Sequence, residues 1–221
     1  IISKKHLVKF KLIFVLFIIL LPFFSIAKDT SIDKNKLQLY FDSVVSIDSI
    51  IPEKARTAKS LGTVRQGSGV IIDNQTILTI GYIVLEAKKI TIGLRNGKKI
   101  PGRLYGYDHA SGFGIISPII STELKSLKLG DSNKIGLDEP LYILPSPFKG
   151  SGSVAKMVSR RPFAGWWEYY LDKPIYTLPT NQSWAGSPLI NSNGEILGIG
   201  SLFIADAATP GIMTPGNMFV P

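Results

Sequence analysis

Attack on a carbonyl needs a hydroxyl or thiol and a base to take its proton. This chain of 221 residues has no cysteine and only two histidines, His6 and His109. Thiolate catalysis, a disulfide framework and cysteine zinc sites are therefore excluded. The serines that could carry acyl transfer are Ser183 and Ser187, in the stretch NQSWAGSPLINSNGEILGIG over 181–200. Either would need an imidazole or a lysine amine within hydrogen-bond reach. His109 directly follows Asp108 in a turn expected after a strand, and it is the candidate for a relocated base; a surface-loop histidine is the simpler reading. Lys156 and Lys173 fall in strand-like segments, sit in no motif that pairs them with a serine, and read as solvated. Gly67-Ser68-Gly69 lacks the spacing of a phosphate loop and no helix follows it, so it reads as tight backbone packing. With no cluster at metal-ligand spacing, neither metal nor cofactor is expected.

The elements that must position these residues are strands. A short helix is expected around Asn35 to Phe41. SVVSIDSII (43–51) is rich in β-branched residues, and GSGVIIDNQTILTI (67–80) gives two strands around Asp73-Asn74. KKITIGLRNGKKIPGRLYGYD (88–108) is the clearest hairpin, turning at Asn96-Gly97. Segments 139–148, 153–163, 167–180 and 187–206 continue the series, the last turning at Asn193-Gly194. Many short strands with no long helical period predict an antiparallel barrel or sandwich. RRPFAGWWEYY (160–170) packs two cations and five aromatics into eleven residues. It reads as a strand pair with rings alternating between core and surface, or as a recognition patch.

The first residues carry Lys4, Lys5, Lys9 and Lys11, then the apolar run Leu12 to Phe24, then Ser25-Ile26-Ala27. This is the pattern of a secretory leader cut after Ala27. The run is short of the ~20 apolar residues of a spanning helix, and an uncleaved membrane anchor is the alternative. Loss of 1–27 removes four lysines and no acid, so the formal net charge of +9 falls by four to +5. The remaining charges form no basic stripe, which gives nucleic-acid binding no support. The expected layout is a leader or anchor over 1–27, a lead-in over 28–42 and an all-β domain over 43–221. That domain is open to truncation at the C-terminus, since the chain starts at Ile1 and stops straight after an apolar stretch.

Four segments in order resemble the HtrA-type, trypsin-like serine proteases of the bacterial envelope. QGSGVIIDNQTILT is similar to the strand pair that leads to the catalytic histidine, and GYDHASGFGIIS to the segment with the catalytic aspartate. LKLGDSNKIGLDEPLYILPSPF and SWAGSPLINSNGEILGIG resemble the stretches before and around the nucleophile. The resemblance implies a trypsin-like double β-barrel and places the histidine position on Tyr82, the aspartate position on Gly112 and the serine position on Ala185. All three are replaced. Tyrosine titrates near pH ~10, glycine has no carboxylate and alanine no oxygen. The resemblance also implies oxyanion donors at the Ala185 and Ser183 N–H groups, while Ser183 and Ser187 stand where the family has glycine. Should those positions need glycine-only angles, the loop is reshaped and the donors are lost.

The function expected is that of an exported pseudoprotease, in the periplasm or cell envelope, binding a polypeptide or envelope protein. Its substrate strand would include Leu197, Gly198, Ile199, Gly200 and Ser201, where an extended peptide adds as a strand without needing a triad. Membrane contact is expected only through an uncleaved N-terminal segment. The rival is an active serine endopeptidase with unconventional catalytic residues. A structural envelope subunit without a groove is a third class, which sequence alone does not separate from the first.

Overall fold

The computed structural model describes residues 34–165 and 170–221, so the leader expected over 1–27 lies outside the described residues. Helix α1 (Lys34–Asp42) opens the described chain. Six strands then close a first barrel: β1 (Val44–Ile50), β2 (Val64–Asp73), β3 (Thr76–Ile80), β4 (Lys89–Gly93), β5 (Lys99–Tyr107) and β6 (Phe113–Pro118), paired in the order β1-β2-β3-β6-β5-β4. A short helix, α2 (Ala58–Leu61), lies in the β1–β2 connection. Strands β7 (Leu141–Ile143) and β8 (Ser153–Ser159) start the second barrel. After a separate two-stranded ribbon, β9 (Phe163–Ala164) with β10 (Tyr170–Leu171), come β11 (Ile175–Leu178), β12 (Pro188–Ile190), β13 (Ile196–Ile204) and β14 (Gly216–Val220). The second barrel closes as β11-β14-β13-β12-β7-β8. The architecture is the all-β double barrel that the resemblance implies.

The hairpins turn where the sequence places them, at Asn96-Gly97 between β4 and β5 and at Asn193-Gly194 between β12 and β13. Other segments differ. The stretch 139–148 pairs only over β7, and 153–163 and 167–180 each break around the β9–β10 ribbon. Strands β6 and β14 have no counterpart among the expected segments. All five residues of β14 are buried, so it shows none of the polar alternation that marks a half-buried strand.

Leu141, Ile143, Ala155, Ile175, Leu189, Leu197 and Phe219 fill the centre of the second barrel. A larger apolar cluster runs from the first barrel to residues of the second, including Tyr176, Ile190 and Met218. Helix α1 straps the two together. Tyr40 is buried against the β12–β13 turn and its hydroxyl donates to the Ser192 carbonyl at 3.4 Å. Asp42 binds Lys125 at 3.0 Å, and Arg95 lies over the Phe41 ring at 4.9 Å.

Candidate functional site

Tyr82 sits in the single helical turn Gly81–Ile83 that follows β3. Its hydroxyl crosses between the barrels and donates to the main-chain carbonyl of Ser201 on β13 at 2.8 Å. Its own carbonyl is held from below by Arg65, whose Nη1 donates to Tyr82 at 2.8 Å and to Leu85 at 3.1 Å. The same guanidinium reaches the Gly62 carbonyl at 3.2 Å and the Thr57 hydroxyl at 2.6 Å. Arg65 is only 5% exposed, so this charge is inside the protein with neutral oxygens around it. Burial pulls its pKa below the usual arginine value, and Glu86 nearby opposes that fall. Thr57 passes the contact on, since its hydroxyl and N–H both donate to the Glu86 carboxylate.

Gly112 closes the turn between β5 and β6. Its N–H donates to the Asp108 carbonyl at 2.8 Å, and its own carbonyl accepts from Gly81 N–H at 2.7 Å. That second bond ties this turn to the Tyr82 turn. The Asp108 carboxylate accepts from the Ser111 hydroxyl and from the N–H groups of Ala110 and Ser111. These donors, the hydroxyl foremost, hold its pKa below the ordinary aspartate value. Gly112 has φ +78°, a left-handed conformation that strains any side-chain-bearing residue. His109 is exposed on the same turn, edge-on to the Tyr107 ring at 4.6 Å.

Ala185 is half-buried in the loop before β12, and its carbonyl accepts from Ser68 N–H of β2 at 2.9 Å. Gly186 follows with φ +72°, and a Cβ there would stand 2.0 Å from the Ser68 carbonyl oxygen. Ser183 and Ser187 adopt ordinary negative φ; among the described residues the one non-glycine with positive φ is Glu86. Glycine-only angles are therefore not what alters this loop. A side chain does it: Asn181 Oδ1 accepts the Ser183 N–H at 2.8 Å, taking one of the two main-chain donors implied for an oxyanion.

Neither serine is set up as a nucleophile. The Ser183 hydroxyl donates to the Lys149 carbonyl, and the Lys149 ammonium turns away to Asp48 at 3.1 Å. Ser187 is fully buried and donates to the Ser183 carbonyl at 2.6 Å, with the Ser68 hydroxyl 3.3 Å away. Tyr82 thus reaches from the first barrel to β13 of the second, Gly112 is tied to the Tyr82 turn and Ala185 is bonded to Ser68 of β2, while His109 stays on the surface turn. Among the described residues, the Ser183 and Ser187 hydroxyls donate to main-chain carbonyls, those of Lys149 and Ser183.

The expected substrate strand needs correction at four of its five residues. Ile196, Gly198 and Ile199 pair with β12, and Ile199 and Gly200 pair with β14. Gly200 also donates to the Ser187 carbonyl and accepts from Gly186 N–H, both at 2.9 Å. Leu197, Gly198, Ile199 and Gly200 therefore lie inside the sheet with no open edge. At Ser201 the β13–β14 register slips, and β12 has already ended. Phe203 is 44% exposed along this stretch, with Trp184 beside it at 6.0 Å.

In the aromatic segment, residues 166–169 lie outside the described residues. The two arginines of that segment hold main chain: Arg160 binds the carbonyls of Ser132 and Lys173, and Arg161 those of Asp206 and Ala207 while lying 4.2 Å above the Tyr176 ring. Arg65 and Ser68 escape a reading by motif alone. Strand parity offers a signal for the first, because Arg65, Gly67, Gly69 and Ile71 share the buried face of β2. Ser68 was read only as part of a packed Gly-Ser-Gly. Its hydroxyl in fact accepts from Ser146 N–H of the second barrel at 2.9 Å.

The family model of the trypsin-like peptidase domain matches residues 67–199. The chain is 28% identical over 159 residues to the periplasmic pH-dependent serine endoprotease DegQ of Escherichia coli, covering 69% of this chain and 35% of the relative. It is 30% identical over 151 residues to a probable periplasmic serine endoprotease, DegP-like, of Pseudomonas putida, covering 67% of this chain and 30% of the relative. The chain thus spans about a third of the length of these curated relatives. Among solved structures, the HtrA-type protease AlgW with tripeptide superposes with a TM-score of 0.66 at 20% identity, over 85% of this chain and 58% of that one. The active form of the Rv3671c protease from M. tuberculosis gives 0.65 at 19% identity, over 83% and 78%; both likenesses concern the fold. With the double barrel, the ordered motifs and the matched domain in agreement, the chain belongs to the HtrA-type, trypsin-like serine protease family.

Proposed function

We propose that this member of the family is a pseudoprotease: an exported envelope protein that binds extended polypeptide and does not cleave it. The observation that carries the reading is the Tyr82–Ser201 bond, 2.8 Å long. A phenol occupies the place implied for the base, and its proton is engaged with a carbonyl of the strand rather than poised for exchange with a nucleophile. Ala185 has no side-chain oxygen, and the Ser183 N–H is already bonded. Loss of one oxyanion donor alone lowers turnover by ~10²–10³, before the missing triad is considered. Export rests on the basic-then-apolar N-terminus and on the periplasmic names of the relatives. Polypeptide binding rests on β13 running on past the end of β12, which leaves the strand beyond Ser201 to offer main-chain partners to an added strand.

The test combines a fluorophosphonate probe with casein turnover on the purified chain. We expect no covalent label and no cleavage over hours, together with retention of unfolded casein. Labelling abolished by Ser183→Ala or Ser187→Ala would overturn the reading in favour of an active endopeptidase with that serine as nucleophile. Casein retention should weaken in Phe203→Asp, which puts a charge on that part of β13; equal retention would remove β13 as the docking strand.

A further inference from the structure

The chain carries the dipeptide Asn-Gly twice, and the fold treats the two copies differently. Both stand at the turn of a hairpin, with Gly97 at φ +85° and Gly194 at φ +80°. In both, the glycine N–H donates to a carbonyl earlier in the turn, Leu94 at 2.9 Å and Asn191 at 3.0 Å. Packing separates them. Asn96 and Gly97 are both exposed, and a Cβ at Gly97 would stand in open space. Gly194 is buried, and a Cβ there would run into the ring of Tyr40, itself 4% exposed. Asn191 braces the second turn further, its Oδ1 accepting from the N–H groups of Asn193 and Glu195, both at 3.0 Å. The Tyr40 hydroxyl adds its bond to the Ser192 carbonyl.

We propose that Asn96 is a site of spontaneous deamidation through the main-chain nitrogen of Gly97, and that Tyr40 shields the same dipeptide at Asn193. The Gly97 nitrogen gives its proton to hydroxide and attacks Asn96 Cγ. The bond from Cγ to Nδ2 breaks, and the nitrogen leaves as ammonia after taking a proton from water, which closes a cyclic imide. Water then opens the imide at either carbonyl, leaving an aspartate or an isoaspartate. Glycine suits the attack because no Cβ crowds its nitrogen. Negative charge develops on Asn96 Oδ1 as the new bond forms, and the Lys98 N–H already donates to that oxygen at 3.0 Å. Arg95, Lys98 and Lys99 flank the dipeptide and favour the deprotonated nitrogen, whereas Glu195 directly follows Gly194 and opposes it. The Gly97 N–H must leave the Leu94 carbonyl, and at an exposed turn water takes over both partners. At Gly194 the same swing has to displace the Tyr40 ring, which is packed in the core. The product puts a carboxylate next to Arg95, which lies over Phe41 and 3.7 Å from Asp42.

The experiment holds the purified full chain in mildly alkaline buffer for days and follows the chymotryptic peptides that carry Asn96 and Asn193 by mass spectrometry. Deamidation adds about 1 Da, and electron-transfer fragmentation separates aspartate from isoaspartate. In the folded protein Asn96 should react at least about tenfold faster than Asn193, with both isomers formed. In guanidinium chloride, which unfolds the chain and screens the flanking charges, the two rates should converge to within about threefold. Asn96 intact in the folded protein, or Asn193 reacting there as fast as Asn96, overturns the proposal. A difference that survives unfolding belongs to the local sequence and overturns the shielding by Tyr40. Tyr40→Ala reads the shield directly: the Asn193 rate should rise about fivefold or more while the Asn96 rate stays the same. No rise in a variant that circular dichroism shows to be folded also overturns the shielding. Should the variant not fold, the folded and unfolded rates of the unsubstituted protein decide.

Discussion

The N–H of Ser68 on β2 donates to the carbonyl of Ala185 at 2.9 Å, so main chain of the first barrel is bonded directly to the residue that the resemblance places at the nucleophile position. The Ser68 side chain adds a second tie, accepting from Ser146 N–H at 2.9 Å with Ser187 Oγ at 3.3 Å. Ser68 is 1% exposed, so these partners have no water to turn to. Ser68→Ala should lower stability by about 2 kcal/mol, because it leaves the buried Ser146 N–H without its acceptor. Denaturant unfolding followed by tryptophan fluorescence measures it, and a loss below about 0.5 kcal/mol would show that the hydroxyl is dispensable.

Gly186→Ala tests the same junction from the other side. The new methyl would lie 2.0 Å from the Ser68 carbonyl oxygen on a residue already at φ +72°. Left-handed strain and a clash with main chain together should lower stability by about 3 kcal/mol or more. A thermal midpoint within 2–4 °C of the parent, about the shift that 1 kcal/mol gives in a chain of this size, would contradict the close approach.

Building a triad at the positions the resemblance implies should fail in stages. Ala185→Ser alone gains no base, and triad members act as a unit. Adding Tyr82→His and Gly112→Asp meets the backbone: φ +78° at Gly112 strains an aspartate and misdirects its carboxylate. The triple variant should therefore stay weak on a fluorogenic peptide. Adding Asn181→Ala, which releases the Ser183 N–H from its 2.8 Å acceptor, should raise whatever rate it has. No gain from that fourth change would mean that the oxyanion donor is not what limits the variant.

Much of the fold, and less of the site, was legible in the sequence. Asn96-Gly97 and Asn193-Gly194 fixed two hairpins because those dipeptides suit tight turns whatever surrounds them. β14 was hidden because burial on both faces erased its alternation, and its Asn217 reads as a loop residue. Asn217 is fully buried, its Oδ1 accepting from Asn181 N–H at 2.7 Å. The resemblance alone numbers Tyr82, Gly112 and Ala185 as the triad positions. The Tyr82 hydroxyl partner lies 119 residues away, and no local pattern encodes such a pairing. The Ser183 N–H was lost to Asn181 by a side chain two residues back, where attention to missing glycines pointed elsewhere.

Arg65 should resist conservative replacement. Its guanidinium serves four oxygens, those of Gly62, Tyr82, Leu85 and Thr57. A lysine ammonium is a compact charge that cannot span this fork. Arg65→Lys should therefore destabilise by about 2–3 kcal/mol, nearly as much as Arg65→Met. Full rescue by lysine in denaturant unfolding would show that charge alone matters there.

Acid should loosen the first barrel before the chain as a whole. The Asp108 carboxylate, held by Ser111 and Ala110, and the Glu86 carboxylate, held by Thr57 and Arg56, both have lowered pKa values in the folded state. Their stabilisation is complete above the unfolded values near pH ~4 and is lost as pH falls through the folded values below that. Stability measured from pH 6 down to pH 2.5 should drop in that lower window, and Asp108→Asn should flatten part of the drop. An unchanged slope in Asp108→Asn would remove this turn from the acid response.

The bond from the Ser183 N–H to Asn181 Oδ1 and the bond from the Tyr82 hydroxyl to the Ser201 carbonyl, each 2.8 Å long, act as rivets of the fold. A replacement at Asn181 or Tyr82 gives up a native contact together with whatever it changes between the barrels. Shape and chemistry at this place are therefore not separable by single substitutions.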